Sequence, residues 1–267
     1  MRITPARAAG FGLRELWEHR ELVSFLVWRD LTLRYRQTVL GAAWALIQPL
    51  TAMVIFSLVF GRLARMPSDG VPYPLWSFAG LLPWTYFANG VTQAAASLVG
   101  SANLITKVYF PRLAIPVAAT LSGLVDLAIG LVMLAALMLV YGVAPGPGLV
   151  LLPGAILFAV VAAIGAGSWL SALNVEYRDV RYVVPFVIQV WLFATPVVYP
   201  SSVLPPAWRM VAGLNPMTGV VDAFRWGLFG RPTEPATLLT SGAVVLVILV
   251  GGLLYFRRVE ERFADLV

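Results

Sequence analysis

Residues 27–50 read VWRDLTLRYRQTVLGAAWALIQPL, with Arg29, Asp30, Arg34 and Arg36 crowded into eight residues and no charge after them. Charge that stops this abruptly marks the place where a chain leaves water. From Gln37 to Gly61 there is no Asp, Glu, Lys or Arg, and as a helix that run is long enough for a hydrocarbon core that takes about 20 residues. Two residues inside it do not belong on a plain lipid-facing helix. Pro49 lacks an N–H and its ring clashes with the carbonyl of Ala45, so a bend is expected there, with that carbonyl left without its usual partner. Gln48 adds an amide at the same level. Membrane helices tolerate proline where neighbours, water or polar side chains satisfy the freed backbone, so this face is expected to meet another helix or a wet path.

The rest of the chain repeats the pattern. Of 267 residues 60% are apolar and 12% charged, with a mean hydropathy well above zero, more apolar surface than one water-soluble core hides. Further charge-free runs cover 71–106, 113–125, 127–175, 182–208 and 235–256. The run 127–175 would measure about 73 Å as one helix, far beyond a bilayer core of roughly 30 Å. It has to fold back, and YGVAPGPG at 141–148 has the turn chemistry for it. In 71–106, Pro72, Pro74, Gly80 and Pro83 predict an irregular lead-in before a helix. We read an all-α integral membrane protein with six spans, about 38–60, 76–98, 113–141, 149–171, 183–199 and 236–256. Its parts are a segment 1–37, a transmembrane domain 38–256 and a tail 257–267. Of the 19 Lys and Arg, 14 fall in segments on one side of such a bundle, together with both termini, which the positive-inside rule assigns to the cytoplasm.

Before the first span, residues 11–28 mix helix formers with charges and are too short and polar to cross; they read as an interfacial helix, with no cleavable leader. Between the fifth and sixth spans, 200–232 is too apolar for a solvated loop. Asn215 followed by Pro216 reads as a helix cap and first residue, giving two short helices, about 205–212 and 216–229, that dip back into the outer leaflet. No fixed-period repeat or matched pair of broken helices marks an inverted-repeat secondary transporter.

Much chemistry is excluded. There is no cysteine and one histidine, His19, on a charged helix, so thiol, zinc and Ser/His catalysis lack their residues. The only lysine, Lys107, lies between Thr106 and Val108 and cannot sit in a phosphate-cradling loop. Net charge is +6, but the arginines are scattered between apolar runs, which fits membrane topology rather than nucleic acid. Asp126 is the one charge within a span, a functional candidate by default. A structural carboxylate is favoured over a proton relay, satisfied by Ser122 and Thr120 or by groups on another helix, because no span holds a second acid.

Four stretches resemble a known family: 27–50 above, ANLITKVYFPRLAIPVAATLSGLVDLAIG at 102–130, LNVEYRDVRYVVPFVIQVWLFATPVVYP at 173–200 and LNPMTGVVDAFRWGLFG at 214–230. They are similar to the permease subunit of ABC exporters for lipid-linked polysaccharides, the group handling O-antigen, teichoic acid, capsule or galactan. The resemblance implies a homodimer in a bacterial cytoplasmic (inner) membrane, with two copies of a separate ATPase carrying ATP and Mg. It also implies a channel for a glycan on polyprenyl pyrophosphate. The chain itself would hold no cofactor or metal. The loop 101–112, with Lys107, Tyr109, Phe110 and Arg112, would dock into the ATPase, and 174–181, with Glu176, Arg178 and Asp179, would be a second contact. The first and fifth spans would line the path, and the two short helices would close its outer end.

The residues themselves support part of this. A channel passing many sugars suits aromatic platforms with few charges, and the first and fifth spans offer Trp44, Phe56, Trp191, Phe193 and Tyr199 beside Gln48 and Pro49; Tyr73, Trp76, Trp84, Tyr86 and Phe87 lie nearby. Trp and Tyr near span ends are usually interface anchors, which comes first for Trp76, Trp84 and Trp208; for Trp44 and Trp191 both readings stand. Arg29, Arg34 and Arg36 offer guanidinium forks to a pyrophosphate headgroup, or only set topology, touch anionic lipid and pair Asp30 with Arg34. An exporter of drugs or small lipids, a secondary transporter using Asp126 and a membrane-embedded enzyme are the alternatives.

Overall fold

The computed structural model describes residues 13–36, 43–107, 110–230, 233–260 and 263, and all regular structure among them is helical. Chain order gives α1 (Leu13–Glu18), α2 (Arg20–Tyr35), α3 (Trp44–Phe56), α4 (Tyr73–Gly100), α5 (Ala102–Lys107), α6 (Ala114–Val140), α7 (Leu152–Glu176), α8 (Val180–Ala194), α9 (Pro206–Gly213), α10 (Pro216–Phe229) and α11 (Pro235–Glu260). Among the described residues four helical stretches are long and apolar enough to cross a membrane: Trp44–Leu63, Ala114–Val140, Pro147–Glu176 and Pro235–Glu260. The second and fifth expected spans are also helices, the 28-residue α4 and the 15-residue α8.

Helix α4 is the hub, packing against α3, α6, α7, α8 and α10. Its expected irregular lead-in is helix instead. Pro72 caps it and Pro74 falls in the first turn, where a missing N–H is harmless because those N–H groups have no helical partner anyway. Helix α7 lies close along α11: a Cβ on Gly165 would come within 2.7 Å of the Leu249 Cα, the small-residue contact that lets membrane helices approach closely. The fold-back at 141–148 turns on Gly142 at φ +66° and closes against α10, where the Gly146 N–H donates to Leu228 O at 2.9 Å.

Local chemistry sets the other boundaries. Asn215 caps α10, accepting from the Met217 N–H at 3.0 Å, with Pro216 in the first turn; the helix ends on Gly230 at φ +67°. Both ends follow the ordinary rules for helix termini, the first as expected. The first span is helical through Gln48 and Pro49, and its last turns widen into a π-helix at Ser57–Leu63. The fifth stops at Ala194 rather than 199: Thr195 is extended, the conformation a following proline favours. Helix α2 runs to Tyr35, beyond the expected limit at Trp28, with a break from α1 at His19.

Two apolar cores result. The larger surrounds α4. The smaller gathers Leu26, Leu98, Phe110, Leu113, Phe256 and Phe263 at the pole holding most of the basic residues; we call this the basic pole and the other, with α9 and α10, the far pole.

Candidate functional site

Four helices converge beside the basic pole on a cavity of about 310 Å³. The last turn of α2 brings Arg34 and Tyr35. The start of α3 brings Trp44, Ala45, Gln48 and Pro49, two pairs spaced four apart and so on one helical face. Helix α4 contributes Leu82, Thr85, Tyr86, Asn89 and Gln93, and α6 adds Gly123, Asp126 and Leu127. The cavity therefore joins Gln48, Pro49 and Trp44, expected on a substrate path, to Arg34, expected at a headgroup, and to Asp126.

At its floor both oxygens of Asp126 are engaged from another helix. Arg34 Nη1 donates to Oδ2 and Tyr35 Oη to Oδ1. The other Arg34 nitrogen, Nη2, donates to Gln93 Oε1 and, at 3.1 Å, to Ser122 Oγ. The Tyr35 phenol is pushed up to about 12, first by burial and then by its bond to Asp126, so it stays a donor. Of the two sources considered for Asp126, the local one fails: Thr120 and Ser122 donate to the carbonyls of Pro116 and Ala119, at 2.9 and 2.8 Å. Nor does Asp30 pair with Arg34. It accepts from Arg29 Nε and Nη2 at 3.0 and 2.8 Å, because Arg34 is turned toward α6. Arg36 is exposed.

The remaining aromatics are not gathered on one surface. Trp44 is 56% exposed at the cavity, Phe56 meets Phe60 edge-on at 5.7 Å, and Phe193 is exposed. Trp191 packs edge-on against Phe87 and Trp84, at 5.4 and 6.3 Å, and donates to Asn215 Oδ1 at 3.0 Å. Half-buried Tyr199 reaches Phe193 O at 3.5 Å. Tyr73, Trp76, Trp84, Tyr86 and Phe87 are all buried, so Trp76 and Trp84 are core residues of the hub helix and not interface anchors. Trp208 is exposed. Helices α3 and α8 both pack on α4.

Of the residues expected to meet an ATPase, Phe110 is buried in the small core. Arg112 is held by the last helix, its N–H donating to Glu260 Oε1 at 3.3 Å and its Nη1 to Glu260 O. Glu176 accepts from Tyr255 Oη, while Arg178 and Asp179 are exposed. The Lys107 side chain and Tyr109 lie outside the described residues.

A second cavity, about 320 Å³, lies at the far pole and includes Asp69, Trp76, Ser201, Arg209, Asp222, Arg225 and Glu234. Buried Arg225 donates from Nη1 to Pro196 O at 2.6 Å and from Nη2 to Val197 O at 2.8 Å, and stacks 3.4 Å over Trp76. Gly80 leaves the room for that guanidinium. Asp222 accepts from Ser201 Oγ at 2.7 Å. Sequence reading passed over this pair, although an Asp and an Arg three apart in the apolar VVDAFRWGLF was the available signal. It also passed over Thr85, Asn89 and Gln93, a polar stripe at helical spacing.

Fold and site together define an all-helical, multi-pass membrane protein with a polar cavity let into its bundle. Residues 21–229 match the family described as the ABC-2 type transporter, and the chain belongs to that family. It is similar to the O-antigen export system permease protein RfbA of Myxococcus xanthus, 31% identical over 95% of this chain and 98% of that one. A Klebsiella pneumoniae protein of the same name is 26% identical, over 92% and 95%. The polysialic acid transport protein KpsM of Escherichia coli is 20% identical, over 90% and 93%.

Proposed function

We propose that this chain is the permease of an ABC exporter that carries a lipid-linked polysaccharide across a bacterial inner membrane, driven by a separate ATPase. The observation that carries this is the end-to-end likeness to a permease named for O-antigen export, over 95% and 98% of the two chains. The chain's only lysine is outside any phosphate loop, which fits ATP being held by another subunit. Six helices cross the membrane, α3, α4, α6, α7, α8 and α11, with both termini cytoplasmic, as the basic asymmetry favours. Helices α9 and α10 re-enter the outer leaflet. Two copies associate, covering exposed apolar residues such as Ile55 and Leu58 of the first span and Phe186 and Val190 of α8; the first and fifth spans then line the path. Residues 101–112 and 174–181 face the ATPase.

The test is deletion of the gene in its own bacterium. Surface polysaccharide is expected to fall at least about tenfold while its lipid-linked precursor accumulates inside. Unchanged surface polysaccharide, with altered sensitivity to small lipophilic compounds, would instead make the chain an exporter of drugs or lipids.

A further inference from the structure

We propose that the cavity at the basic pole is a saccharide site: each protomer holds one uncharged sugar unit of the substrate between α2, α3, α4 and α6. This rests on the polysaccharide reading above and adds a location and a chemistry to it.

Charge comes first. A cavity containing an arginine would ordinarily be read as an anion site, but both Asp126 oxygens are already engaged, one of them by Arg34, whose other nitrogen is held by Gln93 and Ser122. The pair is neutral and three of the five Arg34 N–H groups are taken, so a diphosphate gains less there than at a free arginine. What the walls still offer is amides and hydroxyls, on Gln48, Asn89, Thr85 and Tyr86. Amides and hydroxyls both donate and accept, as sugar hydroxyls do. Trp44, 56% exposed beside Gln48, adds an aromatic face for the apolar side of a sugar ring. The volume, about 310 Å³, is at the small end of ligand pockets, roughly 300–1,000 Å³, which suits one ring rather than a chain.

Tyr86 supplies an independent sign. Its side chain is on the cavity wall and 3% exposed, and its Oη has no hydrogen-bond partner among the described residues. A buried hydroxyl without a partner is costly, and phenylalanine would pack there without that cost. A sugar hydroxyl entering the cavity is the partner the phenol lacks.

The test uses the intact permease and ATPase complex in lipid nanodiscs with two radiolabelled probes. One is polyprenyl diphosphate alone; the other carries the first sugar of the glycan whose export depends on this chain. The complex is expected to bind the sugar-bearing probe about tenfold more tightly, and Asn89→Leu to abolish that preference while leaving affinity for the bare probe intact. Tyr86→Phe is expected to weaken the preference about fivefold with no fall in Tm, an outcome a purely structural tyrosine would not produce. Equal binding of both probes, or a preference intact in both variants, overturns the proposal. So does loss of bare-probe affinity in Asn89→Leu, which would make the diphosphate the occupant. If neither probe binds the unsubstituted complex, the polysaccharide reading falls as well.

Discussion

The two cavities hold the same pair of residue types and use them in opposite ways. At the basic pole Arg34 and Asp126 are 92 residues apart in sequence and meet directly, so their charges cancel and the ion pair fastens α2 to α6. At the far pole Asp222 and Arg225 are neighbours on one helix, yet each turns to something else. Asp222 takes the Ser201 hydroxyl, and Arg225 serves main-chain carbonyls. The cause is backbone. The basic-pole cavity is walled by helices, whose peptide groups are satisfied internally apart from the one Ala45 carbonyl that Pro49 cannot serve. The far-pole cavity adjoins the non-helical turn after α8, and such a turn within a membrane protein has to have its carbonyls met by side chains or water. Arg225 meets those of Pro196 and Val197, and Tyr73 Oη donates to Val198 O at 2.7 Å. An arginine in an apolar helix is thus a backbone clamp in one place and half of an interhelical latch in the other.

The sharpest way to break that contrast is Arg225→Ala. Removing the guanidinium strands two buried carbonyls and leaves Asp222 buried beside no cation, a loss of about 3–5 kcal/mol that thermal unfolding in detergent should report as a large fall in Tm. Arg225→Lys restores charge but not the two-pronged geometry or the stacking on Trp76, so it should recover less than half. Full recovery by lysine would show that charge, and not the clamp, is what the far pole needs.

The latch should cost less to remove and behave differently. Both side chains of the Arg34 and Asp126 pair are 24% exposed, so Arg34→Met or Asp126→Leu alone should destabilise by about 1–3 kcal/mol, below the figure for a fully buried pair. The double variant should cost clearly less than the sum, because no unpaired charge is left behind. Strict additivity would mean that the two residues stabilise the bundle independently and that no latch exists.

How much of this was legible in advance differs between the poles for a physical reason. The proline- and glycine-rich turn at 141–148 and the Asn215 and Pro216 cap are local signals, and the helices follow them closely; the start of the first span after Arg36 lies outside the described residues, and α3 is described from Trp44. Asp126 was marked as the odd charge in a span, but its partner lay on α2, and nothing in the spacing of Arg34 points to α6 rather than to Asp30, four residues away. The buried aromatics of α4 misled because Trp and Tyr at a helix end look the same whether lipid or five other helices surround them; only the packing makes α4 the hub. The prolines at 72 and 74 misled in the opposite sense, since a proline that breaks a helix interior is welcome in its first turn.

The smallest expected effect on the fold belongs to Gln48, and it separates the cavity's role in stability from its role in transport. Gln48 is exposed on the cavity wall next to buried Pro49, and Ala45, whose carbonyl Pro49 cannot serve, is on the same wall. Unlike Arg34 or Arg225, the Gln48 side chain is far from buried, so Gln48→Leu should shift stability by no more than about 0.5 kcal/mol. If the mouth of the cavity belongs to the substrate's route, surface polysaccharide should nevertheless drop several-fold, because leucine replaces a group that both donates and accepts with one that does neither. Gln48→Asn, which keeps the amide on a shorter stem, should fall between leucine and the unsubstituted chain. Quantifying surface glycan beside Tm in the same strains separates the two effects: normal export by the leucine variant would take Gln48 and the mouth of the cavity off the route.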